Sequence, residues 1–311
     1  MLLSVSFVNA QAQDRNPQPP QTSEVRILVT AIDKDQNPVK TLRAEDIRIR
    51  EDGSPQSITG LRQINDRRIS VAVLIDTSES QDRTLDRQKL AAASFVDAII
   101  RLVQDEAAIA TFSGRGRIEQ PLTNDRSLLQ AAIARVKIAS PPSGGRVVIG
   151  PPPPPNSPAA SMGTTALWDA ILATCDEVLT QSALDNRRAI ILLTDGQDTS
   201  SKSQMSQAIE HAIKGNVVVY SIGVGDSPYE GVNKDALRTL SERTGGQAFF
   251  PKKATDISAV FIEIGAAVRN HYVLSYNRIY RGRDSHEIRV EIVNPALKGV
   301  KLLYQQSAPK K

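Results

Sequence analysis

The sequence predicts a doubly wound α/β domain inserted into a small β-sandwich built from both chain ends. Three observations point there. Between residues 69 and 270, apolar strands alternate with segments whose apolar residues recur at helical spacing, the pattern of a mostly parallel sheet covered on both faces. The strands of that stretch are continuous aliphatic runs, as strands buried on both faces must be. The flanks, 24–67 and 271–308, read only as short strands and turn signals. Neither flank makes a comfortable sheet alone. The ends of a compact domain often lie close together, so one sandwich interrupted by an insertion is the economical arrangement.

The elements follow in order. "EVRILVTAID" and "IRIR" alternate, "NPV" and "EDGSP" are turns, and "QSITGLRQI" adds a third strand. "ISVAVLID" (69–76) opens the α/β domain, followed by a helix over 85–103 and a strand over 106–113. "GRIEQPLT" (116–123) holds Pro121 and is therefore an edge strand. Helices are expected over 125–136, 165–181, 201–215, 234–246 and 256–270, with Gly215 as a cap on the third. "RRAIILLTDG" (187–196), "NVVVYSIGVG" (216–225) and "QAFF" supply strands between them. "HYVLSYNR", "HEIRVEIVN" and "VKLLYQQ" return to the sandwich pattern. The segment 140–163 breaks the scheme: five consecutive prolines among glycines and serines favour polyproline II, and so long a loop is either functional or disordered.

Composition limits the function classes. With 311 residues and 40% hydrophobic content, a sizeable core can form, and with 4% aromatics it must be aliphatic. The net charge of +4 is mild, its basic residues are scattered, and a nucleic-acid partner is not expected. The single cysteine, Cys175, excludes a disulfide framework and a zinc set within the chain and reads as a small buried residue. His211, His271 and His286 are dispersed, with no metal-ligand spacing. "GVGDSPYEG" has Pro228 where a dinucleotide fingerprint needs glycine, and neither a P-loop nor a G-x-S-x-G elbow is present, so no small-molecule substrate is expected. The turns "SGRGR" and "RGRDS" read as solvated basic loops. Residues 1–12 read as a possible signal peptide ending at Ala10-Gln11-Ala12, with 13–23 as a linker, so export to the periplasm, surface or medium is expected. No later segment is long and apolar enough to span a membrane.

The chemistry concentrates at three loops. "VAVLIDTSES" (71–80) runs a buried strand into Asp76, Ser78 and Ser80, all oxygen donors. In open α/β sheets ligands bind at the carboxyl ends of strands where strand order reverses. Asp76 ends one strand, Asp195 in "LLTDG" ends another, and Thr164 and Thr165 in "GTTALWDA" begin a helix. Two carboxylates with several hydroxyls suit a hard divalent cation. The acids balance its charge and the neutral hydroxyls leave it electrophilic, so an open position can take a partner's carboxylate. Helix capping is the plainer alternative, but it accounts for one residue of Asp76, Ser78 and Ser80 and not for Thr165 and Asp195. Asp198 reads as a turn or cap, and Asp169 as a first-turn acid favoured by the helix macrodipole.

"DTSES", "GTTAL" and "LLTDG" together resemble the metal-ion-dependent adhesion site of von Willebrand factor A domains, which carry D-x-S-x-S, a downstream Thr and a T-D-G acid. The resemblance assigns Asp76, Ser78, Ser80, Thr165 and Asp195 as ligands of Mg²⁺, or of Mn²⁺ or Ca²⁺. Thr164 is the neighbouring alternative to Thr165, and Glu79 departs from the glycine many members carry, adding charge at the rim beside Gly163 and Thr164. The flanks resemble bacterial exported proteins of the von Willebrand factor A-related type. The resemblance implies binding rather than catalysis, with the ion bridging to an acidic side chain of a protein ligand. It also implies a Rossmann-like, mostly parallel sheet with one antiparallel edge. Two rival roles are a structural or assembly subunit whose metal only stiffens a loop, and a metal-assisted hydrolase, for which Glu79 is the one candidate base.

Overall fold

The computed structural model describes residues 22–35, 37–65, 67–101, 103–139, 165–183, 185–225, 231–251, 254–279 and 286–308. The possible signal peptide, the proline-rich insertion, Gly163, Thr164 and the "RGRDS" turn lie outside the described residues.

The α/β layer grows from β5 (Ile69–Asp76), in which every residue is buried. It pairs in parallel with β6 (Glu106–Phe112) on one side and β8 (Arg187–Thr194) on the other. Beyond β6 lies β7 (Gly116–Thr123), antiparallel and at the edge, where Pro121 leaves no central ladder short of a donor. Beyond β8 come β9 (Val217–Gly223) and the short β10 (Ala248–Phe249), both parallel. The order β10-β9-β8-β5-β6-β7 reverses direction between β5 and β8.

Both faces of this sheet are covered. Val71, Val73 and Ile75 pack with α1 (Leu85–Ile99), α2 (Arg126–Arg135) and α6 (Ala254–Arg269). The alternate residues Ala72 and Leu74 face α3 (Leu167–Ala173), α4 (Met205–Lys214) and α5 (Lys234–Arg243). Phe95 of α1 meets Phe261 of α6 edge to face at 5.3 Å, a contact worth about 0.5–1.5 kcal/mol beyond its area. Cys175 is buried, and burial pushes its thiol up to about 12. Trp168 packs partly buried against the second face.

The two flanks share their sheets. β1 (Thr22–Ile32) pairs antiparallel with β11 (His271–Ile279) and β13 (Lys301–Tyr304), and β4 (Ile58–Ile64) completes the sheet beyond β11. The second sheet joins β2 (Ile47–Glu51), β3 (Ser54–Gln56), β12 (His286–Ile292) and β14 (Ser307–Ala308) in the order β14-β12-β2-β3. Ile27, Val29, Ile49, Tyr272, Leu274 and Ile288 of both sheets form one core. His271 lies opposite Ile64, so the chain leaves for the α/β layer and returns at adjacent strands.

Some element boundaries differ from the sequence reading. The segment "QSITGLRQI" lies in two strands, β3 and β4. α1 stops at Ile99, because the Asp105 carboxylate takes the Arg101 N–H and turns the chain away. The expected helix over 165–181 begins at Leu167, winds into a π-helical turn over Thr174–Val178 and ends in a 3₁₀ turn. α4 starts only at Met205, since the N–H groups of Lys202 and Ser203 are bound by Asp169. Gly215 keeps a right-handed φ of −77°, and Asn216 takes the left-handed position at φ 53°.

Candidate metal centre

The carboxyl ends of β5 and β8 meet at the reversal point, and the candidate ligands converge there. Asp76, the last residue of β5, is fully buried. Its Oδ1 accepts from the Ser78 N–H at 2.9 Å and the Ser78 hydroxyl at 2.6 Å. Its Oδ2 accepts from the Thr194 hydroxyl at 2.6 Å. The Ser78 and Ser80 hydroxyls are 3.1 Å apart, and Ser80 donates to Asp195 Oδ2 at 2.8 Å. An unbroken chain of oxygens therefore runs from Asp76 through Ser78 and Ser80 to Asp195. Its depth is graded: Asp76 and Ser78 are buried, while Ser80 and Glu79 are exposed at the rim.

Local backbone geometry aims these groups. Ser78 is extended and leads into a 3₁₀ turn over Glu79–Gln81, which swings Ser80 back over Ser78. After Asp195, Gly196 adopts φ +80°, and a Cβ there would sit 2.8 Å from Leu237 Cγ. That turn lets the Gln197 N–H reach Asp195 Oδ1 at 2.9 Å, while the Asn233 N–H binds the Asp195 carbonyl at 2.7 Å. Thr165 is buried in the same loop layer. The Thr199 and Ser200 N–H groups bind its carbonyl, and the Ala166 N–H binds the Ser113 carbonyl. The oxygen chain itself runs through Asp76, Ser78, Ser80 and Asp195, and Thr165 borders it through these backbone bonds.

The electrostatics are those of a site short of positive charge. Burial pushes the Asp76 carboxyl up to about 6; bonds from Ser78 and Thr194 oppose this, and the neighbouring Asp195 adds to it. Among the described residues no Lys or Arg forms an ion pair with Asp76 or Asp195. Nor is any group of three or more His, Cys, Asp or Glu among them placed to hold a metal ion, so a metal here relies on hydroxyls beside two carboxylates.

Several participants escaped the sequence reading. Gln81, Thr84 and Gln88 are fully buried and form an amide relay beneath the site. Gln81 Nε2 donates to Asp195 Oδ2 at 2.7 Å, and its Oε1 accepts from Thr84 Oγ1 at 2.7 Å and Gln88 Nε2 at 2.6 Å. Gln81 directly follows D-x-S-x-S in the 3₁₀ turn and Gln88 lies seven residues on in α1, and nothing in their residue types marks them as buried. Asp198 caps α3 from outside, accepting from the Leu167 N–H and the Ser201 hydroxyl. Asp169 is turned to the 202–203 loop: burial opposes its charge, but the Lys202 and Ser203 N–H groups hold it below the usual carboxylate range. Of the histidines, His211 pairs with Asp176, His286 with Asp52, and His271 is buried.

Two overlapping matches to the von Willebrand factor type A domain cover residues 71–197 and 156–262. Among solved structures, proximal thread matrix protein 1 from the mussel byssus is similar at a TM-score of 0.53 and 18% identity, covering 71% of this chain and 51% of that one. The chain thus spans about half the length of the mussel protein. A second structure of that protein, with a zinc occupied MIDAS motif, matches at 0.53 and 18% over 68% of this chain and 49% of that one. A von Willebrand factor type A protein from Catenulispora acidiphila matches at 0.50 and 15% over 85% of this chain and 73% of that one. Comparison with curated proteins gives no match. The matched span takes in both β5 and β8 with their terminal acids, and the six-stranded sheet agrees with it: the chain belongs to the von Willebrand factor type A domain family.

Proposed function

We propose that this protein is an exported, non-enzymatic binding module that takes one divalent cation at the ends of β5 and β8 and through it engages an acidic group of a protein partner. Asp76, Ser78, Ser80, Thr165 and Asp195 would hold the ion, with Mg²⁺ or Mn²⁺ the best fit to a small hydroxyl-rich donor set. One observation carries this reading. Two carboxylates, joined through two hydroxyls at hydrogen-bond distances, lie at a strand reversal with no basic side chain among the described residues paired to either. Such a set needs positive charge from outside the chain. A bound cation supplies Lewis acidity; the chain's residues orient the donors and leave Ser80 and Glu79 facing solvent, where a partner arrives. The zinc named for the mussel protein's MIDAS motif supports a divalent ion, and Ala10-Gln11-Ala12 supports export.

The test is calorimetric titration of the chelator-stripped protein with Mg²⁺ and Mn²⁺, beside Asp195→Ala. Saturable binding near one ion per chain, lost in the variant, is expected. Failure of the native protein to bind either ion, or equal binding by the variant, overturns the assignment.

A further inference from the structure

The last strands of the sandwich serve two sheets in turn. β13 pairs with β1 in the first sheet, and β14, just after it, pairs with β12 in the second. Between them the Ile288 N–H binds the Gln306 carbonyl at 2.9 Å. In that register Val290 would lie opposite Tyr304 and Ile292 opposite Leu302. The ladder stops short of both, because β13 is drawn off to β1. Among the described residues no backbone hydrogen bond joins β12 to β13. A cleft of about 420 Å³ opens where the two strands part. Val290, Ile292, Leu302 and Tyr304 line it, and the exposed Glu242, Glu291 and Lys301 border it.

Backbone direction decides what the cleft can hold. Ile288 turns its N–H away from β2, and such groups alternate along a strand. Val290 and Ile292 therefore present their N–H and C=O groups on the same open side. On the other wall the Ala31 carbonyl takes the Val39 N–H, on the side away from β13, so Ala31 and Leu302 face each other without hydrogen bonds. Leu302 and Tyr304 thus turn their backbone groups away from β1. Each wall is a strand edge with unused donors and acceptors. A hydrocarbon ligand would leave those groups unmet, whereas an extended peptide meets them.

The side chains set the sequence of such a peptide. Val290, Ile292, Leu302 and Tyr304 belong to the sandwich core, so the inward residues of the guest must be apolar. Glu291 is exposed on the outer face, opposite Arg48 in the ladder with β2. A basic residue on the cleft side continues that alternation of charge. Across the cleft, Lys301 is already paired with Glu242 at 3.5 Å.

We propose that this cleft takes an extended segment of a protein partner, with apolar and basic residues alternating, as an added strand between β12 and β13. It is a second binding surface, separate from the metal centre. Asn233, at the start of α5, binds the Asp195 carbonyl, whereas Glu242, near the end of that helix, borders the cleft.

The probe is a fluorescein-labelled hexapeptide of alternating valine and lysine, followed by fluorescence polarisation on the full chain in EDTA. Saturable binding is expected. N-methylation of the valines removes the N–H groups aimed at Val290 and Ile292 and should weaken binding by about tenfold or more. Glu291→Lys, at an exposed position, turns an attraction into a repulsion. It should weaken this peptide by about tenfold and favour the valine–glutamate counterpart. Absence of saturable binding, equal binding of the N-methylated peptide, or indifference of Glu291→Lys to peptide charge overturns the proposal. Sedimentation velocity covers the other occupant: a native dimer that Glu291→Lys dissolves gives the cleft to a second copy and also overturns it.

Discussion

Gln81 Nε2 donates a 2.7 Å hydrogen bond to Asp195 Oδ2, joining the turn after β5 to the acid at the end of β8. The amide cannot swing away, because Thr84 and Gln88 both hold its oxygen. The relay fixes which carboxylate oxygen of Asp195 faces Ser80 and ties that choice to the first turns of α1.

Substitution of Gln81 should therefore reach the ion without touching it. Partners that orient metal ligands typically alter affinity by about 10–100-fold. Gln81→Leu keeps the burial and removes the donor, and should weaken Mn²⁺ binding by about tenfold in calorimetry. Native affinity in this variant would mean that the Gln197 N–H and the Ser80 hydroxyl orient Asp195 without the amide.

Gly196 carries a prediction of a different kind. At φ +80°, and with a Cβ position 2.8 Å from Leu237 Cγ and 3.1 Å from the Asn233 carbonyl, any side chain meets both backbone strain and collision. Gly196→Ala should cost about 2 kcal/mol or more in denaturant unfolding and weaken ion binding too, since Asp195 is its neighbour. Unchanged stability would show that the 195–197 turn relaxes freely.

Much of this arrangement was legible in the sequence, and the reasons differ by residue. β5 and β8 are long aliphatic runs ending in acids, and burial on both faces leaves such runs no alternative reading. The start of the helix expected over 125–136 was legible because its signal is local, and Asp125 Oδ1 takes the Ser127 and Leu128 N–H groups. The start of α4 was not, because the Lys202 and Ser203 N–H groups are claimed by Asp169, over thirty residues away. The amide relay failed for the same reason: glutamines at 81 and 88 suit a solvated helix as well as a buried one, and tertiary packing alone decides. The end of α1 was misplaced because apolar residues continue through Val103 while Asp105 reaches back to Arg101.

Asp105 is the anchor at the far end of the sheet. Its carboxylate lies 2.7 Å from Arg269 and 3.0 Å from Arg101, and the Ile69 N–H also binds it. Burial opposes its charge, but Arg269, Arg101 and the backbone N–H groups outweigh that and hold the carboxyl down to about 2. A depressed carboxyl contributes stability present above its unfolded value of 3.8 and lost as pH falls through 2. Asp105→Ala leaves Arg269 without its carboxylate and should cost about 3 kcal/mol or more at neutral pH. A loss under about 1 kcal/mol in urea melts would mark the pair as energetically idle.

His271 sets the acid side of the stability profile. Burial first, then the positive charge of Arg187, Arg67 and Arg62, lowers its imidazole to about 3 from 6.5. The folded state thus holds the ring neutral while the unfolded chain protonates it below 6.5. Its contribution is complete above that pH and is lost as pH falls toward 3. Across that window the histidine alone steepens the loss by up to about 1.4 kcal/mol per pH unit. His271→Phe has no proton to take up, and its unfolding free energy should fall less steeply than that of native protein between those limits. Chemical denaturation at a series of pH values measures both slopes. Parallel slopes would mean that the His271 ring protonates freely in the folded state.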